Sequence, residues 1–222
     1  GNLYARFYRR QARLDVANIT AAITNGTFAS DISSWSDPTN VMSSSYVAGT
    51  EDTSNASTYT FAAHSIGAAN DDRIVVVCVT AVDNAIAAAQ TISSVTIGGV
   101  TATIAAQTNA ATAGGHVSTG VVYLPFPTGT TATIVVTLDN AATDCRIDVF
   151  RVIGKAVEHF STTTDNTIAT GVVSGNLNVP LGGTGIAAVG WFSEGAAVTA
   201  TAWTGLTERS DYDLEAAGAA ST

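Results

Sequence analysis

A pair of glycines between two alternating β-branched runs is the feature that most restricts what this chain can fold into. The stretch Thr91–Ile104 reads TISSVTIGGVTATI, in which Val95 and Ile97 alternate with polar residues. Alternation with a period of two residues is the signature of a strand with one buried face. Gly98 and Gly99 supply the positive φ angles that a tight hairpin turn requires. The sequence therefore predicts a β-hairpin at this point.

The same alternation recurs along the chain at intervals of about ten residues, which is typical of a β-sandwich. The predicted strands are Thr58–Ser65, Arg73–Val82, Ser93–Ile97, Val100–Ala106, Gly120–Pro125, Thr131–Leu138, Cys145–Ile153, Gly171–Val179, Gly185–Phe192 and Val198–Trp203. The second of these is apolar on both faces, so we expect it at the centre of a sheet, whereas Cys145–Ile153 alternates and should have one wet face. We predict an all-β fold: an antiparallel β-sandwich, either immunoglobulin-like or jelly-roll-like.

A short basic and aromatic segment precedes the strands. Residues 2–16 are predicted to form a helix, because Leu3, Phe7 and Leu14 recur at helical spacing. Four of the nine Lys and Arg residues lie here, although the whole chain has a net charge of −9. A basic arm on an acidic body favours docking onto an acidic partner. The predicted docking residues are Leu3, Tyr4, Arg6, Phe7, Tyr8, Arg9, Arg10, Arg13 and Leu14.

Two other interpretations of this arm are open. It is equally consistent with a solvated helix terminus, and a basic amphipathic helix could also lie on a membrane surface. The rest of the chain does not favour a membrane, since it contains no apolar run of about 18 residues. We therefore prefer a partner protein as the surface that the arm covers, and we expect no membrane insertion.

The sequence predicts two parts, a docking arm with its linker over residues 1–50 and a β-sandwich over residues 51–222. Asp37–Thr58 is rich in Ser, Thr and Asn, and leaves room for at most one strand. Asn25–Trp35 (NGTFASDISSW) resembles the opening of jelly-roll carbohydrate-binding modules over barely a dozen residues. Simple anchoring of the linker by its aromatic residues is the favoured alternative.

Only 12% of the residues are charged, so Thr, Ser, Asn and Gly must cover much of the surface. Surfaces of this kind suit proteins that are buried in assemblies or that bind neutral polar ligands such as glycans. Trp191 and Trp203 are candidate glycan contacts, because exposed aromatic rings can stack on sugars. Packing of these rings between the sheets is the favoured alternative.

The two cysteines, Cys78 and Cys145, fall in predicted strands 67 positions apart. That spacing would allow an inter-sheet disulfide of the immunoglobulin type, which is accompanied by a Trp on an intervening strand. Trp35 and Trp191 both lie outside the interval. We therefore prefer two buried thiols that act as small apolar residues.

The sequence contains no motif that specifies a chemical reaction. HExxH, CxxC, GxSxG and the calcium-loop pattern do not occur, and His64, His116 and His159 have no second ligand at metal-binding spacing. Asp71 and Asp72 could offer carboxylates to calcium, but a strand start at the surface explains them better. We predict no catalytic residue, no metal, no cofactor and no enzymatic activity.

The order of the strand phrases over 72–213 resembles β-sandwich proteins from the structural modules of tailed bacteriophages and gene transfer particles. The phrases are DRIVVVCVTAVDNA, TISSVTIGGVTATI, PTGTTATIVVTL, CRIDVFRVIG, LNVPLGGTGIAAVGWF and TAWTGLTERSD. The beginning LYARFYRRQARL is similar to segments that fasten such proteins to the particle.

This resemblance implies a virion component, a tail fibre, spike or capsid decoration, that is assembled in the bacterial cytoplasm. Its partners would be other virion proteins and further copies of itself, with no nucleic acid. The alternative is a carbohydrate-binding module or adhesin that recognises cell-surface glycans, which is compatible with a role in host attachment. A bacterial surface-layer or adhesin repeat is a third, weaker hypothesis.

Overall fold

The structure is a computed structural model that describes residues 42–84, 90–112 and 115–154, together with residues 162, 164, 185–186 and 207–210. The strands in these ranges are β1 (Ser43–Asp52), β2 (Ala56–Ser65), β3 (Arg73–Asp83), β4 (Ile92–Ile97), β5 (Val100–Thr101), β6 (Thr103–Thr112), β7 (Gly115–Pro125), β8 (Thr131–Ala142) and β9 (Asp144–Ile153). The described ranges contain no helix. The predicted helical arm lies outside them, as do the predicted strands Gly171–Val179 and Val198–Trp203 and most of Gly185–Phe192.

The nine strands form two antiparallel sheets. The five-stranded sheet has the order β1-β9-β3-β7-β6, and the four-stranded sheet has the order β2-β8-β4-β5. The chain passes from one sheet to the other at most of its connections, so the strands that pair are mostly distant in sequence. The prediction of an all-β fold with antiparallel sheets is confirmed.

The predicted hairpin is formed by β4 and β5, with Gly98 and Gly99 as its two turn residues. Their φ angles are 59° and 80°, and Ile97 pairs with Val100 across the turn. A Cβ atom on Gly98 would lie 2.7 Å from the ring of Phe126. Both the backbone conformation and this close approach therefore require glycine at the first turn position.

Strand β3 occupies the centre of the five-stranded sheet, between β9 and β7. Val75, Val77 and Val79 on its inner face are completely buried, and on its outer face Ile74 and Val76 are each 8% exposed. Burial of one such side chain contributes about 1.5–3 kcal/mol. The prediction of a central strand with two apolar faces is confirmed.

The inner faces of the two sheets share one hydrophobic core, as in a β-sandwich. Buried residues of β3 and β9 belong to the same cluster as buried residues of β2, β4 and β8, among them Val77, Ile147, Phe61, Val95, Ile134 and Val136. Tyr59 is also fully buried there, and its hydroxyl donates a 2.5 Å hydrogen bond to the carbonyl oxygen of Ala142. Burial raises the pKa of this phenol.

The outer face of β9 is less exposed than its alternating sequence predicts. Arg146 and Asp148 on this face are joined by a 3.0 Å ion pair, and their side chains are only 12% and 18% exposed. Val152 and its neighbour Ile74 form a second apolar cluster on the same face, and Ile186 packs against it. The apolar cluster and Ile186 therefore leave only a small charged patch of this face, around Arg146 and Asp148, in contact with water.

Strand β1 lies within the stretch that the sequence suggests is a linker. Its sequence SSSYVAGTED has little β-branched alternation, and its side chains are exposed or half-buried. The strand is held by its ladder to β9, from the pair Ser43–Ile153 to the pair Asp52–Cys145. A partner so distant in sequence leaves no local signal for this strand.

Candidate functional site

One end of the sandwich is held together by the buried side chain of Arg73, which is 1% exposed. Its guanidinium donates four hydrogen bonds to loop carbonyls: Nε to Phe126 (2.6 Å), Nη1 to Gly67 (2.7 Å) and Gly129 (2.9 Å), and Nη2 to Thr128 (2.6 Å). Burial lowers the pKa of Arg73, and the charge of Arg151 adds to this effect. Since four of its five N–H groups are used internally, Arg73 stabilises two loops and has little capacity left for a ligand.

The opposite end contains buried residues of the types found in hydrolase triads. Asp83 on β3 is directly opposite His116 on β7, and Ser118 lies two positions further on the same face as His116. However, the Ser118 hydroxyl donates to the carbonyl oxygen of Gln90 at 2.5 Å, and neither ring nitrogen of His116 has a hydrogen-bond partner. The arrangement therefore lacks the contact between nucleophile and base that covalent catalysis needs.

Asp144 is a second buried polar group at this end, at the start of β9. It is completely buried, and neither carboxylate oxygen makes a hydrogen bond that meets ordinary distance and angle limits. Burial raises its pKa despite the opposing effect of the Thr143 side chain, and the charges of Glu51 and Asp52 add to the rise. The carboxyl group is consequently a source of pH-dependent stability.

The two cysteines are buried and do not form a disulfide. Cys78 lies on the outer side of β3, whereas Cys145 belongs to the core between the sheets. Burial raises the pKa of Cys78 to about 12, with a smaller contribution from the charge of Asp148, and burial also raises the pKa of Cys145. The prediction of two buried thiols is confirmed, and neither has the lowered pKa of a reactive cysteine.

The described residues form an open groove of about 590 Å³ along the edge strands β1 and β2. Ala48, Thr50 and Asp52 line it from β1, and Phe61 and His64 line it from β2. His64 is 7% exposed, its Nδ1 lies 3.0 Å from the carbonyl oxygen of Ser65, and its buried Nε2 has no hydrogen-bond partner. We refer to this surface as the edge groove.

The edge groove was not predicted from the sequence. His64 is an isolated histidine in a predicted strand, and Thr50 and Asp52 belong to a strand that has no clear local signal. The pairing of β1 with β9 and of β2 with β8 places these two edges on the same side of the sandwich. Only this long-range pairing brings the polar residues together.

Within the described ranges, no group of three or more His, Cys, Asp and Glu side chains could hold a metal ion. Asp71 and Asp72 are exposed in the turn before β3, and the backbone N–H of Asp72 donates to the side chain of Asn70 at 2.9 Å. The same part of the chain contains no helix of the length and apolarity needed to cross a membrane.

The residues that the sequence predicts to bind a partner or a glycan lie outside the described ranges. These are the docking residues between Leu3 and Leu14 and the candidate glycan contacts Trp191 and Trp203. Comparisons with models of protein families, with curated proteins and with solved structures find no match to this chain.

Proposed function

We propose that this chain is a structural component of a tailed-phage-like particle, a fibre, spike or surface decoration, without enzymatic activity. In this proposal the basic arm docks onto other virion proteins, and the sandwich is presented outward by a homo-oligomer. The particle would be assembled in the bacterial cytoplasm. The observation that carries the proposal is the strand order of the two sheets, taken together with the resemblance over 72–213.

The strand order supports a jelly roll over an immunoglobulin-like sandwich. A jelly roll has eight antiparallel strands in two sheets, and it recurs in viral capsid and lectin domains. Here β1-β9-β3-β7 and β2-β8-β4-β5 give that arrangement, with β6 as an added edge strand. The immunoglobulin order, in which the first two strands share a sheet, does not fit, because β1 and β2 belong to different sheets.

The surface of the four-stranded sheet also favours a structural role. Its outward positions carry uncharged hydroxyl side chains, among them the exposed residues Thr58, Thr60, Ser65, Thr131 and Thr133. A weakly charged surface of this kind permits close contact with neighbouring subunits without the desolvation of many charges.

The docking part of the proposal can be tested in the full-length chain. Replacement of Arg6, Arg9, Arg10 and Arg13 with Ser should leave the circular dichroism spectrum unchanged and should abolish co-sedimentation with particles from the host strain. Arg209→Ser is the matched control, since Arg209 is exposed and lies far from the arm in sequence. Normal incorporation of the four-arginine variant would contradict docking through the arm, and an absence of wild-type protein from every purified particle would contradict the virion role.

A further inference from the structure

We propose that the edge groove is a binding site for a neutral glycan, with Thr50 and His64 as ligand-contacting residues. The site is independent of the aromatic residues Trp191 and Trp203, and it does not require that the chain belong to a particle. A groove of about 590 Å³ lies within the range of about 300–1,000 Å³ that is usual for small-molecule sites.

The two sides of the sandwich differ in how their core is closed. On the side of β6, Ile104 is partly buried and packs against the core. On the side of β1, Val47 also packs against the core, but the positions that follow it, Ala48, Thr50 and Asp52, are small or polar. They are opposite the buried core residues Val149, Ile147 and Cys145 of β9. Small and polar residues at these positions leave the sandwich open, so the groove is a consequence of the β1 sequence.

His64, which lines the groove, has a ring nitrogen that lacks a hydrogen-bond donor. The carbonyl oxygen of Ser65 can only accept a hydrogen bond, so in the neutral ring Nδ1 carries the proton and Nε2 is left as an acceptor. A buried acceptor without a partner is costly, and most such atoms in proteins are satisfied by protein or by ordered water. Because His64 lines the groove, we assign to Nε2 the role of accepting a hydrogen bond from a ligand, in place of water.

The other groove residues favour hydroxyl groups as that donor. The Thr50 hydroxyl can both donate and accept, which matches a sugar hydroxyl. Asp52 Oδ1 already accepts hydrogen bonds from the backbone N–H (2.9 Å) and the hydroxyl (2.6 Å) of Ser54, which uses part of its accepting capacity. Glu51 adds a second carboxylate to the groove lining, and its oxygens can accept hydrogen bonds from sugar hydroxyls. A metal ion lacks a third ligand among the described residues.

An extended peptide fits the groove less well than a glycan. Strand addition requires an unbroken row of backbone groups along an edge. The ladder of β1 is interrupted between Tyr46 and Ala48, and that of β2 is interrupted between Phe61 and His64. Ala63 has a φ of 49°, which turns the backbone of β2 away from a regular edge. We therefore assign the groove to a glycan.

The test uses the purified full-length chain and an immobilised panel of neutral di- to hexasaccharides. We expect wild-type protein to bind at least one of them, and Thr50→Val and His64→Leu each to weaken that binding by about ten-fold, as expected for the loss of one good hydrogen bond. Thr58→Val is the matched control, because Thr58 is an exposed Thr of β2 that does not line the groove. It should bind as wild type does.

Because His64→Leu could alter folding, the Thr50→Val variant at an exposed position and a thermal melt of each variant accompany it. Failure of the wild-type chain to bind any glycan of the panel would overturn the proposal. Equal binding by wild type and Thr50→Val would overturn it as well, and so would binding lost only in Trp191→Ala or Trp203→Ala. Retention of a basic peptide in place of sugars would assign the groove to a different class of ligand and would also refute it.

Discussion

Replacement of Arg73 should destabilise the sandwich more than replacement of any other charged residue that the structure describes. We expect Arg73→Met to retain the length and apolar character of the side-chain stem and to remove all four hydrogen bonds to the loop carbonyls. The two loops joined by Arg73, residues 66–72 and 126–130, are otherwise connected by few backbone bonds, such as Ile66 N–H to the Thr130 carbonyl at 2.9 Å. Loss of the four bonds should therefore loosen the contact between the two loops and lower the free energy of unfolding of the whole sandwich.

The size of the effect follows from the number of bonds and from solvent access. A hydrogen bond to a charged group is worth about 1.5–3 kcal/mol, so four bonds would total about 6–12 kcal/mol if nothing replaced them. Two of the acceptors belong to exposed residues, Thr128 and Gly129, whose carbonyls water can reach in the variant. We therefore expect a loss of about 3–5 kcal/mol, the cost of breaking a buried charged interaction. For a chain of this size that corresponds to a fall of about 10 °C in Tm.

Urea denaturation followed by far-UV circular dichroism measures the loss, and hydrogen exchange locates it. The amide of Phe126, which donates to the Arg73 carbonyl at 3.1 Å, should lose protection first. Arg151→Met is the matched control, because Arg151 makes one exposed hydrogen bond, to Ala68, at 2.8 Å. It should cost less than about 1 kcal/mol. If Arg73→Met costs no more than Arg151→Met, the assigned role of the four bonds is wrong.

Two further predictions concern buried ionisable groups. Because the pKa of Asp144 is raised, the folded state binds the carboxyl proton more tightly than the unfolded state does. This contribution to stability is present below about pH 4 and is lost as the pH rises through the pKa of Asp144 in the folded protein. Asp144→Asn should therefore raise the free energy of unfolding at pH 7 and change it little at pH 3, as measured by urea titration; a lower stability at pH 7 would contradict this. Cys78 and Cys145 should react with a thiol reagent at pH 8 only after denaturant is added, and rapid modification of either in the native protein would contradict their burial.

Local patterns predicted most of the regular strands. The prediction of one strand over Val100–Ala106 was wrong, because the chain leaves one sheet after Thr101 and enters the other at Thr103. The alternation in β8 and the apolar run in β3 each depend on residues within one strand. A strand buried on one face alternates apolar and polar residues, and a strand buried on both faces is apolar throughout, so the sequence indicates both. The Gly98–Gly99 turn was also predictable, because its φ angles are a property of the turn itself. These elements fixed the fold class without any knowledge of which strands pair.

The parts that escaped prediction depend on contacts between distant segments. Arg73 begins a strand and looks like an ordinary surface residue, and only the approach of residues 126–130 buries it. In the same way, His64 acquires its burial from the sandwich interior and Thr50 acquires its position from the pairing of β1 with β9. Burial and hydrogen-bond partners of this kind are set by topology, which a single sequence does not specify.

The edge strands show how assembly and ligand binding can share one small domain. An exposed regular edge invites pairing with another chain, and bulges prevent it. Among the described strands, β1, β2 and β6 all contain a register shift, and the β6 shift lies between Ile104 and Ala106. After its shift, β6 keeps an unbroken ladder with β7 from Ala106 to Thr112, whereas the longest unbroken part of β1 runs only from Ala48 to Asp52. The β6 side therefore offers the longer regular edge for contacts between copies of the chain. A homo-oligomer that pairs through β6 would leave the edge groove open to solvent, whereas contacts through the outward face of the four-stranded sheet would involve Thr60 and Ser65, which also line the groove. Assembly through β6 is therefore the arrangement that is compatible with the proposed glycan site.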